Sequence, residues 1–255
     1  MRKTVKNRLC YALESMVLII LLFWVWHIAT ETGAVNAILL PSPRTVGATF
    51  IKKLADKSLL TEIGVSVGRV LKGYFCSIVA GVCLGIIIGL SEHMHHMTKI
   101  IIQLLKPIPP IAWIPLVILW MGIGESSKVF LIFLGGFFVI LLNVIDGIRF
   151  IDPKLTEVAT AVETPRIKYI FQLVIPAAMP NIFTGLRVAL GTCWSCVVAA
   201  ELVAASSGIG YMISNARNFG QMDVVIIGMI SIGIVGKVMD EILKLVEKKV
   251  LAWNT

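Results

Sequence analysis

Apolar residues in this chain gather into runs of about twenty, the length an α-helix needs to cross about 30 Å of hydrocarbon. The runs predict membrane spans at residues 14–32, 65–90, 99–121, 129–148, 178–200 and 223–243. A transmembrane β-barrel would need alternating segments of about ten residues, and the sequence has none. The pattern therefore predicts an all-α membrane protein with six transmembrane helices in a single domain covering residues 1–255. Residues 44–60 are mildly amphipathic, the pattern of a helix lying along an interface. The longest polar interval after residue 100 is 152–176, reading DPKLTEVATAVETPRIKYIFQLVIP. Asp152-Pro153 is a helix start, an N-cap carboxylate followed by proline at the first helical position. Thr164-Pro165 repeats the signal, and Pro176 is expected to stop or kink what begins there. The interval predicts two short helices with a sharp break near Glu163.

Composition sharpens the same picture. The chain is 57% hydrophobic and 15% charged, against about 25% charged for a soluble domain. Its net charge of +8 is read through the positive-inside rule rather than as a nucleic-acid surface. Arg2, Lys3, Lys6, Arg8, Lys99, Arg149, Lys154, Arg166, Lys168, Lys244, Lys248 and Lys249 fall near one face; Arg44, Lys52, Lys53, Lys57, Lys128 and Arg217 fall near the other. Six spans then put both termini and the 149–177 loop in the cytoplasm. The basic N-terminus superficially resembles a signal peptide, but the apolar run 13–29 is longer than the usual h-region and reads as a retained first span.

Several residues inside the spans attract chemistry. Gly81, Gly85 and Gly89 share one helix face, a seam for close helix packing. Arg69 and Lys72 are expected to snorkel from the end of their span. Pro107, Pro109, Pro110 and Pro115 break the third span, and broken backbone at membrane depth survives only where protein or a water-filled cavity covers it. That segment is either a kinked packing helix or part of a translocation path, with Pro110, Trp113 and Pro115 as candidates. Asn143, Arg187, Trp194 and Glu201 are further path candidates, because polar groups at membrane depth usually face the bundle interior or a cavity. Arg187 faces the path, where it suits an anion, or pairs with Glu201, or caps a packed interface. His93, His95 and His96 read as a solvated turn between spans, and Cys193 and Cys196 as packing cysteines without a second ligand pair.

The hairpin resembles the cytoplasmic EAA loop of ABC importer permeases. The match runs through Glu157-Val158-Ala159, Glu163 where that pattern has glycine, and Leu173-Val174-Ile175-Pro176. The flanks Pro107-Ile-Pro-Pro-Ile-Ala-Trp-Ile-Pro115, Trp120-Met-Gly-Ile-Gly124, Asn181-Ile-Phe-Thr-Gly-Leu-Arg187 and Ser206-Ser-Gly-Ile-Gly-Tyr211 resemble the nitrate, sulfonate and taurine subgroup. The resemblance implies a MetI-like permease fold in a bacterial inner membrane. It implies two permease copies forming the path, two ATPase subunits that each receive a coupling helix, and a binding protein that delivers the solute, expected to be a small organic or inorganic anion. By the same match Glu157, Val158, Ala159, Glu163, Thr164, Pro165 and Arg166 are the ATPase-coupling residues.

The chain lacks a G-x-x-x-x-G-K-[ST] phosphate loop; Gly233-Ile-Val-Gly236-Lys237-Val238 comes near but has no Ser or Thr. ATP and magnesium are thus expected on a partner, with no cofactor in this chain and no enzymatic activity of its own. Glu163 raises a specific question, since a left-handed residue there costs about 1–2 kcal/mol without glycine. Either the turn has another shape or Glu163 gains a compensating contact with a basic residue of the ATPase. Two other classes compete. A secondary transporter needs no ATPase and accounts for the broken span and the buried charges, but not for a capped hairpin. A membrane scaffold without a path leaves the proline-rich span unexplained.

Overall fold

The computed structural model describes residues 2–252, apart from the side chains of residues 2–15, 19 and 204. Its elements are α1 (Arg2–Glu31), α2 (Pro43–Ala55), α3 (Ser58–Leu90), α4 (Glu92–Leu105), α5 (Ile114–Met121), α6 (Glu125–Arg149), α7 (Pro153–Ala161), α8 (Arg166–Tyr169), α9 (Ile175–Ala204), α10 (Ile209–Asn218) and α11 (Met222–Val250). No strand occurs among the described residues. Among the described residues, four helical stretches are long and apolar enough to cross a membrane: Ser58–Leu90, Glu125–Arg149, Arg166–Val203 and Met222–Val250. A fifth crossing is available if α4 and the 110–121 segment, bent by 83°, count as one broken span. The apolar part of α1, Met16–Glu31, is shorter.

Backbone contacts divide the chain into two compact units, Met1–Leu60 with Met212–Ile230, and Thr61–Tyr211 with Ser231–Thr255. In the first, Ser42 caps α2 by accepting the Thr45 N–H, and Pro43 fills the first turn, where no N–H is required. The Trp26 indole donates to the Pro41 carbonyl at 3.1 Å. The Thr49 hydroxyl donates to the Asp223 carboxylate at 2.6 Å, tying α2 to the start of α11.

The second unit is built around α6, whose glycines and β-branched residues are buried along most of its length. Gly73, Gly81, Gly85 and Gly89 of α3 lie against Ile132, Ile140, Val144 and Ile148 of α6, so close that a methyl group at any of them would overlap its partner. Ser77 fills the same row opposite Gly136. Each step is one turn on both helices and both series rise together, so α3 and α6 run parallel. The chain between them must therefore return to the end from which α3 began. On its other side α6 meets α9 with descending partners: Gly135 against Cys196, Asn143 against Gly185, Gly147 against Asn181. These two helices are antiparallel, as are α9 and α11, joined by the Trp194 indole donating to the Ile232 carbonyl at 3.0 Å.

Four expectations need correction. Residues 91–98 are not a loop: Ser91 caps α4 and the histidines sit on that helix. Thr164-Pro165 does not repeat the Asp152-Pro153 start: Pro165 is the extended residue before α8, and no side chain caps that helix. The third span is broken as its prolines predict, with Pro109 extended and Pro110 starting a separate 3-10 turn, Pro110–Trp113. Pro176 neither stops nor kinks its helix. A π-helical turn, Ile170–Val174, precedes it and widens the helix where the proline ring would otherwise strike the carbonyl one turn back. Arg69 does not snorkel; it is 3% exposed and bound to carboxylates.

Candidate functional site

The hairpin forms as its capping residues dictate. The Asp152 carboxylate accepts the Lys154 N–H at 2.9 Å and Pro153 opens α7. At the other end Glu163 takes φ +52°. Its N–H bonds the Thr160 carbonyl and the Thr164 N–H bonds the Ala159 carbonyl, both at 3.0 Å, which is the paired closure of a Schellman turn. The turn thus keeps the glycine-type shape even though glutamate occupies it. Glu163 is exposed, and no side-chain partner for it occurs among the described residues. Pro165 is extended and hands the chain to α8 at Arg166. The Tyr169 and Thr156 hydroxyls meet at 3.5 Å between the two arms.

Two faces result. A groove of about 670 Å³ opens between the hairpin and the end of α6, lined by Arg149, Pro153, Thr156, Glu157, Thr160 and Tyr169 among others. Away from it stand Leu155, Val158 and Val162, spaced at three and four residues and exposed, with Ile167 and Phe171 exposed on the second arm. Glu157 therefore faces the groove, Ala159 is half-buried, and Val158 belongs to the exposed apolar stripe. Arg149, at the root of the hairpin, pairs with Glu92 of α4 at 3.0 Å.

The path candidates do not converge on one place. Pro110 borders two cavities, of about 190 and 320 Å³, beneath the broken segment. Trp113 packs on Ile114, Val117, Leu131 and Ala200, while Pro115 is exposed in the first turn of α5. The Asn143 amide donates to the Val139 carbonyl of its own helix at 2.8 Å. Trp194 is buried against Gly236 of α11. Arg187 pairs with Asp240 and Glu247 of α11, each at 3.4 Å, and not with Glu201. Ser195 and Cys196 line both cavities and Lys106 the larger one; of these only the proline breaks nearby gave a sequence signal.

Glu201 organises the opposite end of the bundle from the hairpin. It is 1% exposed and accepts from Arg69 Nη1 at 2.7 Å, from the Ser66 hydroxyl at 2.8 Å and from the Gly210 N–H at 2.9 Å. Arg69 also grips Glu125 of α6 and donates to the carbonyl and hydroxyl of Ser207. Ser66 accepts the Ile209 N–H, and Glu62 accepts the Gly208 N–H. Gly208 has φ +107° and its Cα abuts the Glu201 carboxylate, so no side chain fits there. Glu62, Ser66 and Arg69 lie on one stripe of α3 that continues into the Gly73 row. The Ser206–Tyr211 motif is the wrapping of a buried carboxylate.

These features define a polytopic helical membrane protein with a capped hairpin at one end of its bundle and a buried Arg69–Glu201 pair at the other. The comparisons make the class specific: residues 81–252 match the family model for the binding-protein-dependent transport system inner membrane component, and the chain belongs to that family. A permease protein of Bacillus subtilis (strain 168) assigned to aliphatic sulfonates transport is 37% identical over 95% of this chain and 88% of its own length. The nitrate import permease protein of Synechocystis sp. is 34% identical over 94% of this chain and 89% of its own length. The fold resembles that of a methionine ABC transporter in an inward-facing conformation, with TM-score 0.61 at 17% identity over 74% of this chain and 95% of that one. The chain is thus an ABC transporter permease subunit without enzymatic activity, working with an ATPase that hydrolyses ATP and with a binding protein. The secondary-transporter and scaffold readings fall away.

Proposed function

We propose that this chain lines the path of an importer for a small anion, such as a sulfonate or nitrate, and that residues 152–176 carry the ATPase stroke into it. The whole chain acts as one permease domain. It forms the path with a second copy of itself, and ATP and magnesium are held by the ATPase, with no cofactor in this chain. The observation that carries the proposal is the hairpin: a helix closed by a Schellman turn, with Leu155, Val158 and Val162 exposed, whose second arm runs without interruption into a crossing helix. An apolar stripe of that kind suits a groove on a soluble partner. Glu157, Ala159, Glu163, Thr164, Pro165 and Arg166 then frame the docking surface, and Pro110 lies nearest the path.

Support for six spans comes from register. The parallel run of α3 and α6 requires residues 91–124 to cross back, and Met16–Glu31 extended by the preceding helical turns supplies the first span. The basic residues near the hairpin, at the end of α11 and in the N-terminal sequence support a cytoplasmic side carrying the hairpin and both termini. The test is co-purification from a bacterial inner membrane. Val158→Asp should abolish capture of the ATPase while leaving the permease folded; capture undiminished by Val158→Asp and Val162→Asp together would overturn the docking assignment.

A further inference from the structure

We propose that the two cavities beneath the broken segment form one track, and that Lys106 is the residue that selects for anions in it while the apolar wall selects for the tail. This rests on the reading of the chain as an anion importer. The cavities share Pro110, Ser195 and Cys196, so they meet along one face of α9. Lys106 caps the C-terminus of α4 and lines the larger cavity.

Charge bookkeeping singles out Lys106. Arg69, Lys128 and Arg187 are each neutralised by a carboxylate. Lys106 has no carboxylate partner among the described residues and is exposed. Opposite it the wall is apolar, with Leu134, Phe138, Val139 and Leu142. The hydroxyls that reach the track have already committed their protons. Thr192 donates to the Gly135 carbonyl at 3.0 Å, and Ser195 to the Gly191 carbonyl at 3.1 Å. A hydroxyl oxygen left with lone pairs repels an anion rather than binding it. Recognition of negative charge therefore falls to the Lys106 ammonium, and discrimination among anions falls to the fit of an aliphatic tail. The ligand class is a monoanion with a short unbranched apolar chain.

Cys196 lines both cavities and serves as the reporter. The full importer, with Cys10, Cys76, Cys83 and Cys193 replaced, is reacted with an anionic methanethiosulfonate (2-sulfonatoethyl) and a cationic one (2-trimethylammonioethyl). The Cys196 thiolate attacks the reagent's sulfenyl sulfur, a mixed disulfide forms and methanesulfinate leaves. The rate ratio of anionic to cationic reagent is the readout, because any change in thiolate fraction cancels in it. Lys106→Gln should lower the ratio by about tenfold, as expected for losing one charge at short range beside a low-dielectric wall, and Lys106→Arg should keep it. 1-Pentanesulfonate should protect Cys196 at lower concentration than methanesulfonate. A ratio unchanged in Lys106→Gln, no labelling by either reagent, or equal protection by butylammonium would each overturn the proposal. Loss of ATPase capture in Val158→Asp is independent of this labelling, so failure of the coupling assignment and failure of the track are told apart.

Discussion

The Arg69 guanidinium lies 2.7 Å from the Glu201 carboxylate, and the two side chains are shut away from solvent between α3 and α9. Removing one partner of a buried pair leaves the other charge uncompensated, at a cost of about 3–5 kcal/mol. Arg69→Ala, which leaves the buried Glu201 without its counter-charge while Glu201→Ala would leave Arg69 still held by Glu125, should therefore lower thermal stability in detergent sharply and expose the Ser206–Tyr211 segment to protease. Glu201→Gln, which keeps acceptors for Ser66 and Gly210, should cost less. Joint replacement of Arg69 and Glu201 by methionine should cost less than the sum of the single changes, a coupling that a double-mutant cycle measures.

That pair also marks the limit of what the sequence conveys. The first arm of the hairpin was legible because its signal is local, Asp152 capping the helix that Pro153 opens; the start of the second arm was misplaced, since Pro165 rather than Thr164 precedes α8 and no side chain caps it. The glycine row was legible because a four-residue period places Gly81, Gly85 and Gly89 on one face whatever they meet. Arg69 was read as a snorkelling end because its partners lie 56 and 132 residues away, beyond any local pattern. Arg187 had several carboxylates to choose from, and the antiparallel register of α9 and α11, invisible in sequence, selected Asp240 and Glu247. The absorption of Pro176 by a π turn depends on a carbonyl position that composition does not encode. The family-level flanks located the Ser206–Tyr211 motif, but only the fold shows that it wraps Glu201.

Glu163→Gly relieves a left-handed glutamate at a place where the backbone bonds of the turn need no side chain. The gain is about 1 kcal/mol, offset in part by the added freedom of glycine in the unfolded chain. Hydrogen exchange at the Thr164 amide should slow. If Glu163 also contacts a basic residue of the ATPase, capture of that subunit should weaken in the same variant; capture unchanged or tighter removes the contact and leaves strain alone.

At Gly85 a Cβ would stand 2.7 Å from the Val144 side chain and 3.2 Å from the Leu141 carbonyl. Gly85→Ala should cost about 1–3 kcal/mol by forcing α3 off α6, measured as a lower melting temperature in detergent. Val144→Ala added to it should recover part of the loss. A background of Gly64→Ala, where no neighbour lies within 4 Å, should be silent.

Arg187 meets Asp240 and Glu247 at 3.4 Å in a half-exposed setting, so the clasp contributes about 1 kcal/mol or less. Arg187→Glu should weaken solute uptake through repulsion between α9 and α11, and Asp240→Arg in the same chain should restore it. Restoration by the swap assigns Arg187 to the clasp; uptake that stays lost assigns it to the solute.

From Arg166 to Val203 the chain is one helical body of 38 residues, about 57 Å long at 1.5 Å per residue. One tip is the hairpin arm bearing Ile167, and the other is held by Glu201 to the stripe of α3. The places where this body can bend are the wide turn at 170–174 and Pro180, inside the helix that follows. With the far blade pinned by Arg69 and Ser66, the proposed displacement of the handle would turn the rod like an oar in a rowlock, about the glycine-paired waist where Asn143 meets Gly185. The stiffness of that waist sets how much of the stroke reaches the other side of the bundle.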